Sequence, residues 1–433
     1  MTFYMLFVIL QGMNENHSGR KLLYKNRWLA CRLAQTAKEH PVTIFTGARQ
    51  VGKRTLLQQE KPFTHWLTID LGNLGILEQA EKDPDSLWMG VKDVIIYEIQ
   101  RCPQLLYVIK QVVEEANHGM RFVLSGSADL SLMRQVSKTL AGRTAYFSIF
   151  PMGLGEMRGR VPPKWFFELF KGFLPSTKEM KNVQAENIPN LMLRGFMPPL
   201  LYIESPEAWL TWWEDYVATY VERDLRQVSQ IDSLTDFRRV MVTLAMCSGK
   251  VLNQTEVARQ SGVSQPTVYR YINILEISCL LKRLPAFYAS GSKRLVKSPK
   301  AFWFDPGLST FLIGYRDPEG IFSAKDVGGL FETLVFFHLN VLGQLFTPHL
   351  KFYHWRTVTG KKVDFVIEWS GKIVAMELRF TTEPRYEDCA NLRLFLEEYP
   401  DTVFCLLVHK GSTVRMLHEK ILAIPWSALA YDL

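Results

Sequence analysis

Residues 41–59 read PVTIFTGARQVGKRTLLQQ. The run Val42–Thr46 is β-branched and apolar, as a buried strand requires, and it stops at Gly47. Gly47, Ala48, Arg49, Gln50, Val51, Gly52 and Lys53 then follow the spacing G-x-x-x-x-G-K, and Arg54 and Thr55 open an apolar, helix-compatible segment. Strand, loop and helix in this order make a phosphate cradle. The two glycines let the backbone curl with its N–H groups inward, while the helix N-terminus and the Lys53 ammonium face the same anion. A triphosphate fits there. The position after the lysine in a working loop is Ser or Thr, whose hydroxyl holds Mg²⁺. Here it is Arg54, and Thr55 is no substitute, because one step along a helix turns a side chain by about 100°.

Outward from this stretch, strands and helices alternate. Residues 20–40 carry apolar side chains at helical spacing up to Pro41, where a helix stops. HWLTIDLGN predicts a strand ending near Asp70, and VKDVIIYEIQRCP a buried strand delivering Tyr97 and Glu98 to a sheet edge. QLLYVIKQVVEEANH predicts a helix and RFVLSGSADL a strand breaking into Ser125, Gly126 and Ser127; LAGRTAYFSIFPM places Arg143 just before another strand. Such alternation predicts a parallel, doubly wound sheet.

Prolines and aromatic clusters between Pro151 and Asn190 predict a linker with short helices, and Pro206–Gly249 reads as helical. Trp209, Trp212 and Trp213, three and one apart, fit core packing better than a ligand cage. From Leu252 to Leu284 the pattern is a helix ending at Gly262, a short turn, and a second helix opened by Pro266, with Gln265, Thr267 and Arg270 forward. This is helix-turn-helix spacing, serving either a DNA groove or packing alone. Lys282, Arg283, Lys293, Arg294, Lys297 and Lys300 follow, as phosphate contacts or as a solvated face.

The last third begins near Ala301. GGLFETLVFFHLN predicts an amphipathic helix with Glu332; three strands follow, the second bearing Asp364 and the third Glu377 and Arg379 on one face. A helix, NLRLFLEEYP, and a strand, TVFCLLVHK, come next. Carboxylates at neighbouring strand ends with a cation two residues on suggest a metal-dependent phosphodiester-cleaving site, with Asp364 and Glu377 as metal ligands.

Composition sets the outer limits. The chain has 433 residues, 47% hydrophobic and 22% charged, which is globular and long enough for two to four cores. A net charge of +8 permits a polyanionic partner without demanding one. Six scattered cysteines, none in a C-x-x-C pair, read as buried thiols of a reducing cytosol. The opening MTFYMLFVIL is too short to span a bilayer, has no basic leader, and leaves Met13 as an alternative start; no membrane association is expected.

The set GARQVGKRTLL, IIYEIQR, VLSGSA, LAGR, VERDLR, SGKVLNQTEVARQSGVS, LFETLVFFHL and VDFVIEW…MELRF, in that order, resembles the prokaryotic AAA+ family ATPases with a C-terminal PD-(D/E)XK nuclease-like domain. The resemblance runs from about Arg20 to about Tyr431. It implies an α/β chain: an N-terminal extension (1–19), a P-loop AAA+ parallel-sheet domain (20–165), a helical lid or linker (166–249), a winged-helix region (250–300) and a restriction-endonuclease-like α/β domain (301–433). It further implies a cytoplasmic protein that binds ATP and works on or near DNA or another protein. By the same resemblance Glu98 matches the catalytic glutamate, Lys53 the phosphate lysine, Ser127 the sensor and Arg143 a finger arginine, with Glu332, Asp364, Glu377 and Arg379 in the nuclease-like centre. Three positions depart from the family pattern. Arg54 replaces Ser or Thr, Tyr97 replaces Asp, and Arg379 replaces the lysine of Glu-x-Lys, so both Mg²⁺ ligands of the loop are gone. Three readings stay open: a nucleotide-binding protein with impaired hydrolysis, an active ATPase in which Arg54 replaces the metal's charge, and a non-catalytic scaffold.

Overall fold

The computed structural model of the protein describes residues 24–115, 119–126, 140, 142–174, 183, 185–224, 231–287, 298–357 and 359–432. The expected N-terminal extension, the sensor Ser127, and Lys293, Arg294 and Lys297 lie outside the described residues.

The chain opens with α1 (Ala30–Glu39), then β1 (Val42–Thr46), α2 (Lys53–Gln59), β2 (Leu67–Asp70), α3 (Leu74–Lys82), β3 (Asp93–Tyr97), α4 (Leu105–Glu115), β4 (Arg121–Ser125) and β5 (Thr144–Ser148). The five strands form one sheet in the order β2-β3-β4-β1-β5, every neighbouring pair parallel. Side chains alternate between two cores. Phe45, Ile95, Tyr97 and Val123 face one, while Val42, Ile44, Val94, Ile96, Phe122 and Leu124 face the other. Helix α4 covers the second face with Leu105, Leu106, Ile109 and Val113, an apolar stripe at helical spacing. The first helix is shorter than its sequence pattern suggests. It starts only at Ala30 because Arg27, just before it, is drawn inward to Val51, Phe150 and Glu156.

Next come α5 (Leu154–Met157), α6 (Lys164–Leu169), α7 (Ile188–Arg194) and α8 (Pro206–Tyr216), the last capped by the Ser205 side chain on Ala208 N and running on into π-helical turns over Val217–Asp224. Trp213 is fully buried, packs edge-on to Trp212 and Tyr216, and donates from Nε1 to Arg194 O at 3.0 Å. Trp213 belongs to the core, and Trp209 and Trp212, partly buried, pack against it.

α9 (Leu234–Met246), α10 (Gln254–Ser261) and α11 (Gln265–Ile277) follow, then the antiparallel hairpin β6 (Leu281–Leu284) and β7 (Lys300–Trp303). Gly262, at φ 66°, ends α10 in the left-handed conformation, and Ser264 caps α11, so the turn between them is made by its residue types. α12 (Pro306–Ile313) and α13 (Pro318–Phe322) lead into α14 (Val327–Gly343). Every residue of α14 from Leu330 to Gly343 is buried, whereas its sequence reads as amphipathic. The reason is a second covering layer. Phe150, Met152, Phe166, Leu169, Met192 and Phe196 pack with α14 and one face of the C-terminal sheet in a single core.

That sheet comprises β8 (Lys351–Arg356), β9 (Lys362–Trp369), β10 (Lys372–Arg379), then α15 (Ala390–Glu398), β11 (Phe404–His409), β12 (Arg415–His418) and β13 (Ile421–Pro425), in the order β12-β13-β11-β10-β9-β8. It is mixed: β10, β11 and β13 run parallel, and the other pairs antiparallel. Among the described residues no helix is long and apolar enough to cross a membrane. The six cysteines are free thiols, but only Cys102, Cys389 and Cys405 are buried; Cys247 and Cys279 are partly exposed and Cys31 is exposed.

Candidate functional site

The loop after β1 is shaped by two glycines. A Cβ at Gly47 would lie 2.5 Å from Ile149 O, and Gly52, at φ 93°, begins α2 in a left-handed conformation. Gln50 also takes a positive φ, 63°, which costs strain in a non-glycine residue and recurs at functional sites. Lys53 Nζ donates to Gly47 O and Ala48 O, both at 2.8 Å, so the ammonium curls back over the loop. Phosphate oxygens are the natural exchange for those carbonyls. Burial lowers the Lys53 pKa to about 8. The loop is anchored from outside as well, Tyr216 Oη donating to Arg49 O and Arg27 Nη1 to Val51 O.

At the metal positions, Arg54 Nη1 bonds Asp70 Oδ2 at 2.8 Å, and its guanidinium carbon lies 5.0 Å from the centre of the Tyr97 ring. Losing a carboxylate at 97 therefore does not free Arg54 from an ion pair, because Asp70 at the end of β2 takes that role. Asp70 is fully engaged, its Oδ1 accepting from Gly72 N at 2.9 Å. The Tyr97 hydroxyl is buried without a hydrogen-bond partner among the described residues, and burial pushes its pKa up to about 12. These groups do not fit Mg²⁺, since a guanidinium and a phenol stand where a hydroxyl and a carboxylate would ligate. Glu98 sits next to them at φ 56°, exposed, accepting from Gln100 Nε2 at 2.5 Å.

Arg143 is elsewhere. It precedes Thr144, which pairs with Val42 at the opposite end of β1 from the loop, roughly 15 Å away at 3.3 Å per residue. There it pairs with Glu114 at 2.9 Å and lines a cleft of about 380 Å³ with Lys38, His40 and Arg121. It is not part of its own chain's phosphate site.

In the C-terminal unit, Glu332 of α14 and Asp364 of β9 do meet, around two lysines. Lys300 Nζ lies 2.6 Å from Glu332 Oε2 and 3.3 Å from Asp364 Oδ1; Lys362 Nζ lies 3.3 Å from Glu332 Oε1 and 3.0 Å from Asp364 Oδ1. Burial pushes Asp364 up, but the two lysines and the Leu378 N–H overrule it and hold it below the usual carboxylate range. Burial and the Asp364 charge push Glu332 above that range. Glu377 turns instead to Asn391 Nδ2 at 2.8 Å and Arg379 Nη2 at 2.7 Å. Burial raises it to about 7 against the pull of Arg379. Thus the expected convergence of three carboxylates does not occur as a ligand set: among the described residues no group of three or more His, Cys, Asp or Glu side chains could hold a metal ion. Asp364 and Glu377 are each neutralised from within the chain.

The described members of the basic run after α11, Lys282, Arg283 and Lys300, are likewise consumed. Lys282 donates to Asn340 Oδ1 at 2.8 Å and lies over the Phe336 and Phe352 rings, Arg283 pairs with Glu276, and Lys300 belongs to the C-terminal cluster. On α11, Gln265 is exposed, but Arg270 is held by Asp232 at 2.5 Å, so Tyr269 is the more exposed residue there.

Residues 39–158 match the family model described as an AAA domain. The N-terminal unit is an AAA-type domain. Two further models, each described as a domain of unknown function, match residues 185–319 and 327–429. Two proteins described as uncharacterized, one from Mycobacterium bovis and one from Mycobacterium tuberculosis, are each 29% identical over 364 residues, 84% of this chain and 76% of theirs. Among solved structures, the Walker-type ATPase of Pyrococcus abyssi is similar at 15% identity and a TM-score of 0.43, over 69% of this chain and 99% of that one. The AAA domain's strand order and loop geometry agree with the family match, and its metal positions are where it departs. Sequence reasoning missed Asp70, Arg27, Lys300 and Lys362 as partners of the two centres. Only Lys362 left a signal, standing two residues before Asp364 and so on the same strand face.

Proposed function

We propose that this protein binds a nucleoside triphosphate, ATP in the first instance, at Gly47–Thr55 with little dependence on Mg²⁺ and hydrolyses it poorly. The observation that carries this reading is the placement of Arg54 between Asp70 and Tyr97, where an internal cation stands in for the ion that a working loop recruits. Lys53, the loop and the N-terminus of α2 remain able to hold phosphates. The C-terminal unit has the order α14, β8, β9, β10, α15, β11, which supports a nuclease-like αβββαβ fold. Its acidic pair is neutralised by Lys300 and Lys362, which argues for a module that does not cleave. Nucleotide-dependent association with DNA or another protein is then the activity left to the chain. The rival reading, an active ATPase using Arg54 in place of the metal, shares this placement and differs in requiring turnover, which the phosphate-release measurement separates.

The test is calorimetric titration of ATP with Mg²⁺ and with chelator, alongside steady-state phosphate release. Equal affinity in both and negligible turnover are expected. A tenfold loss of affinity in chelator, or turnover that needs Mg²⁺, would overturn the proposal.

A further inference from the structure

Arg27 precedes α1 and is 7% exposed, and three separate stretches of chain supply its acceptors. Nη1 donates to Val51 O at 2.9 Å, Nη2 to Phe150 O at 2.7 Å, and Nε to Glu156 Oε1 at 3.1 Å. Glu156 is 1% exposed and equally satisfied, Oε1 accepting also from Trp28 N and Oε2 from Gly153 N, both at 2.8 Å. Charge balance alone would need only the carboxylate. The bond to Val51 is a separate commitment, made to the phosphate loop itself.

Its consequence follows from peptide geometry. In a trans peptide the C=O and the next N–H point in opposite directions. Holding the Val51 oxygen from outside the loop therefore points the Gly52 N–H the opposite way within that peptide plane, away from Arg27. Gly52 begins α2, so this N–H belongs to the donor set at the helix N-terminus. Glu156 in turn lies in α5, whose Leu154 N donates to His338 Nε2 of α14 at 3.1 Å. Arg27 thus joins the loop to Glu156 of α5, and the α5 backbone in turn is bonded to His338 of the C-terminal unit.

We infer that Arg27 is a positioning residue: it fixes the peptide between Val51 and Gly52 so that the Gly52 N–H addresses a bound phosphate, and it couples that orientation to α14 through Glu156. The inference rests on the nucleotide-binding reading above. Removing Arg27 alone would strand a buried carboxylate, so the informative variant removes both charges, Arg27→Met with Glu156→Gln. Glu156→Gln alone is the control, since it leaves the guanidinium on Val51.

The experiment is calorimetric titration of wild type and variants with ATP and with inorganic triphosphate, after circular dichroism has established the fold. The double variant is expected to lose at least tenfold in affinity for both ligands, and Glu156→Gln less than threefold. A folded double variant within threefold of wild type overturns the inference, as does an equal loss in both variants, which would assign the effect to the ion pair. Should the double variant unfold, Arg27→Lys decides, because a lysine keeps the charge for Glu156 but lacks the forked donors by which Nε serves Glu156 while Nη1 reaches the Val51 carbonyl. A tenfold loss supports the inference and wild-type affinity overturns it. A flat titration of the wild type sinks the nucleotide reading itself, and this inference with it.

Discussion

The Arg54 guanidinium lies over the Tyr97 ring, its central carbon 5.0 Å from the ring centre, so the two residues that replace the metal ligands of a phosphate loop face one another. Such a contact at a partly exposed site contributes about 0.5–1 kcal/mol, and the bond to Asp70 directs the side chain further. The two side chains therefore act as a unit. A larger apolar face at 97 and a cation at 54 satisfy each other, and neither position offers a carboxylate or an aliphatic hydroxyl as a metal ligand.

From this pairing, ATP affinity measured with Mg²⁺ and with chelator should agree within threefold. Arg54→Thr with Tyr97→Asp should restore metal dependence and turnover together. Either change alone should do little, since each rebuilds half of a shared site. Full turnover from one single reversion would show that the metal does not need both.

The pH dependence of binding should report Lys53. Burial lowers its pKa to about 8 from an ordinary 10.5, so its ammonium is lost as pH rises through 8. Phosphate binds the charged form, which raises the pKa in the complex, and ATP binding then takes up a proton above pH 8. Affinity is expected to be flat from pH 7 to 7.5 and to fall by up to tenfold per unit between about 8 and 10. Lys53→Met should bind weakly at every pH. A wild-type profile that stays flat to pH 10 would mean that Lys53 does not touch phosphate.

How much of this was legible in the sequence depends on range. β1, the loop and the start of α2 are local, and glycine spacing with a β-branched run specified them. The helix, turn and helix around Gly262 and Ser264 were legible for the same reason, because an αL glycine and a serine cap act within a few residues. Partners across the fold were not. Asp70 meets Arg54 only because β2 pairs with β3, which sets Asp70 beside Tyr97, over whose ring Arg54 lies, and Lys300 reaches Glu332 only because the β6–β7 hairpin packs on α14. The burial of α14 on all sides needed side chains such as Phe150, Phe166, Met192 and Phe196 to be placed against it, and no periodicity encodes that. The last two strands, β12 and β13, carry short segments with weak alternation and went unread.

Binding to duplex DNA should be weak and only mildly salt-dependent, because Lys282, Arg283 and Lys300 are spent inside the protein. Fluorescence anisotropy across a salt series is expected to show a slope corresponding to about three phosphates or fewer. Arg270→Glu should change affinity less than threefold, as its guanidinium is already on Asp232. A steep salt slope abolished by Arg270→Glu would instead place α11 in a groove.

The C-terminal cluster allows the sharpest test. Two buried carboxylates and two lysines sum to zero charge, and each ammonium bridges both acids, so the arrangement is closed without an ion from solution. Lys300→Met leaves the pair under-compensated and should cost about 3–5 kcal/mol of stability. Adding Glu332→Gln removes one negative charge and should recover most of that loss, which chemical denaturation can measure. By the same logic plasmid DNA should survive wild-type protein in Mg²⁺ or Mn²⁺. Arg379→Lys alone should not start cleavage, because it leaves Lys300 and Lys362 in place. Robust wild-type cleavage, lost in Asp364→Ala, would show that the lysines assist a catalytic centre instead of closing it. An unchanged denaturation midpoint in Lys300→Met would show that the cluster holds nothing together.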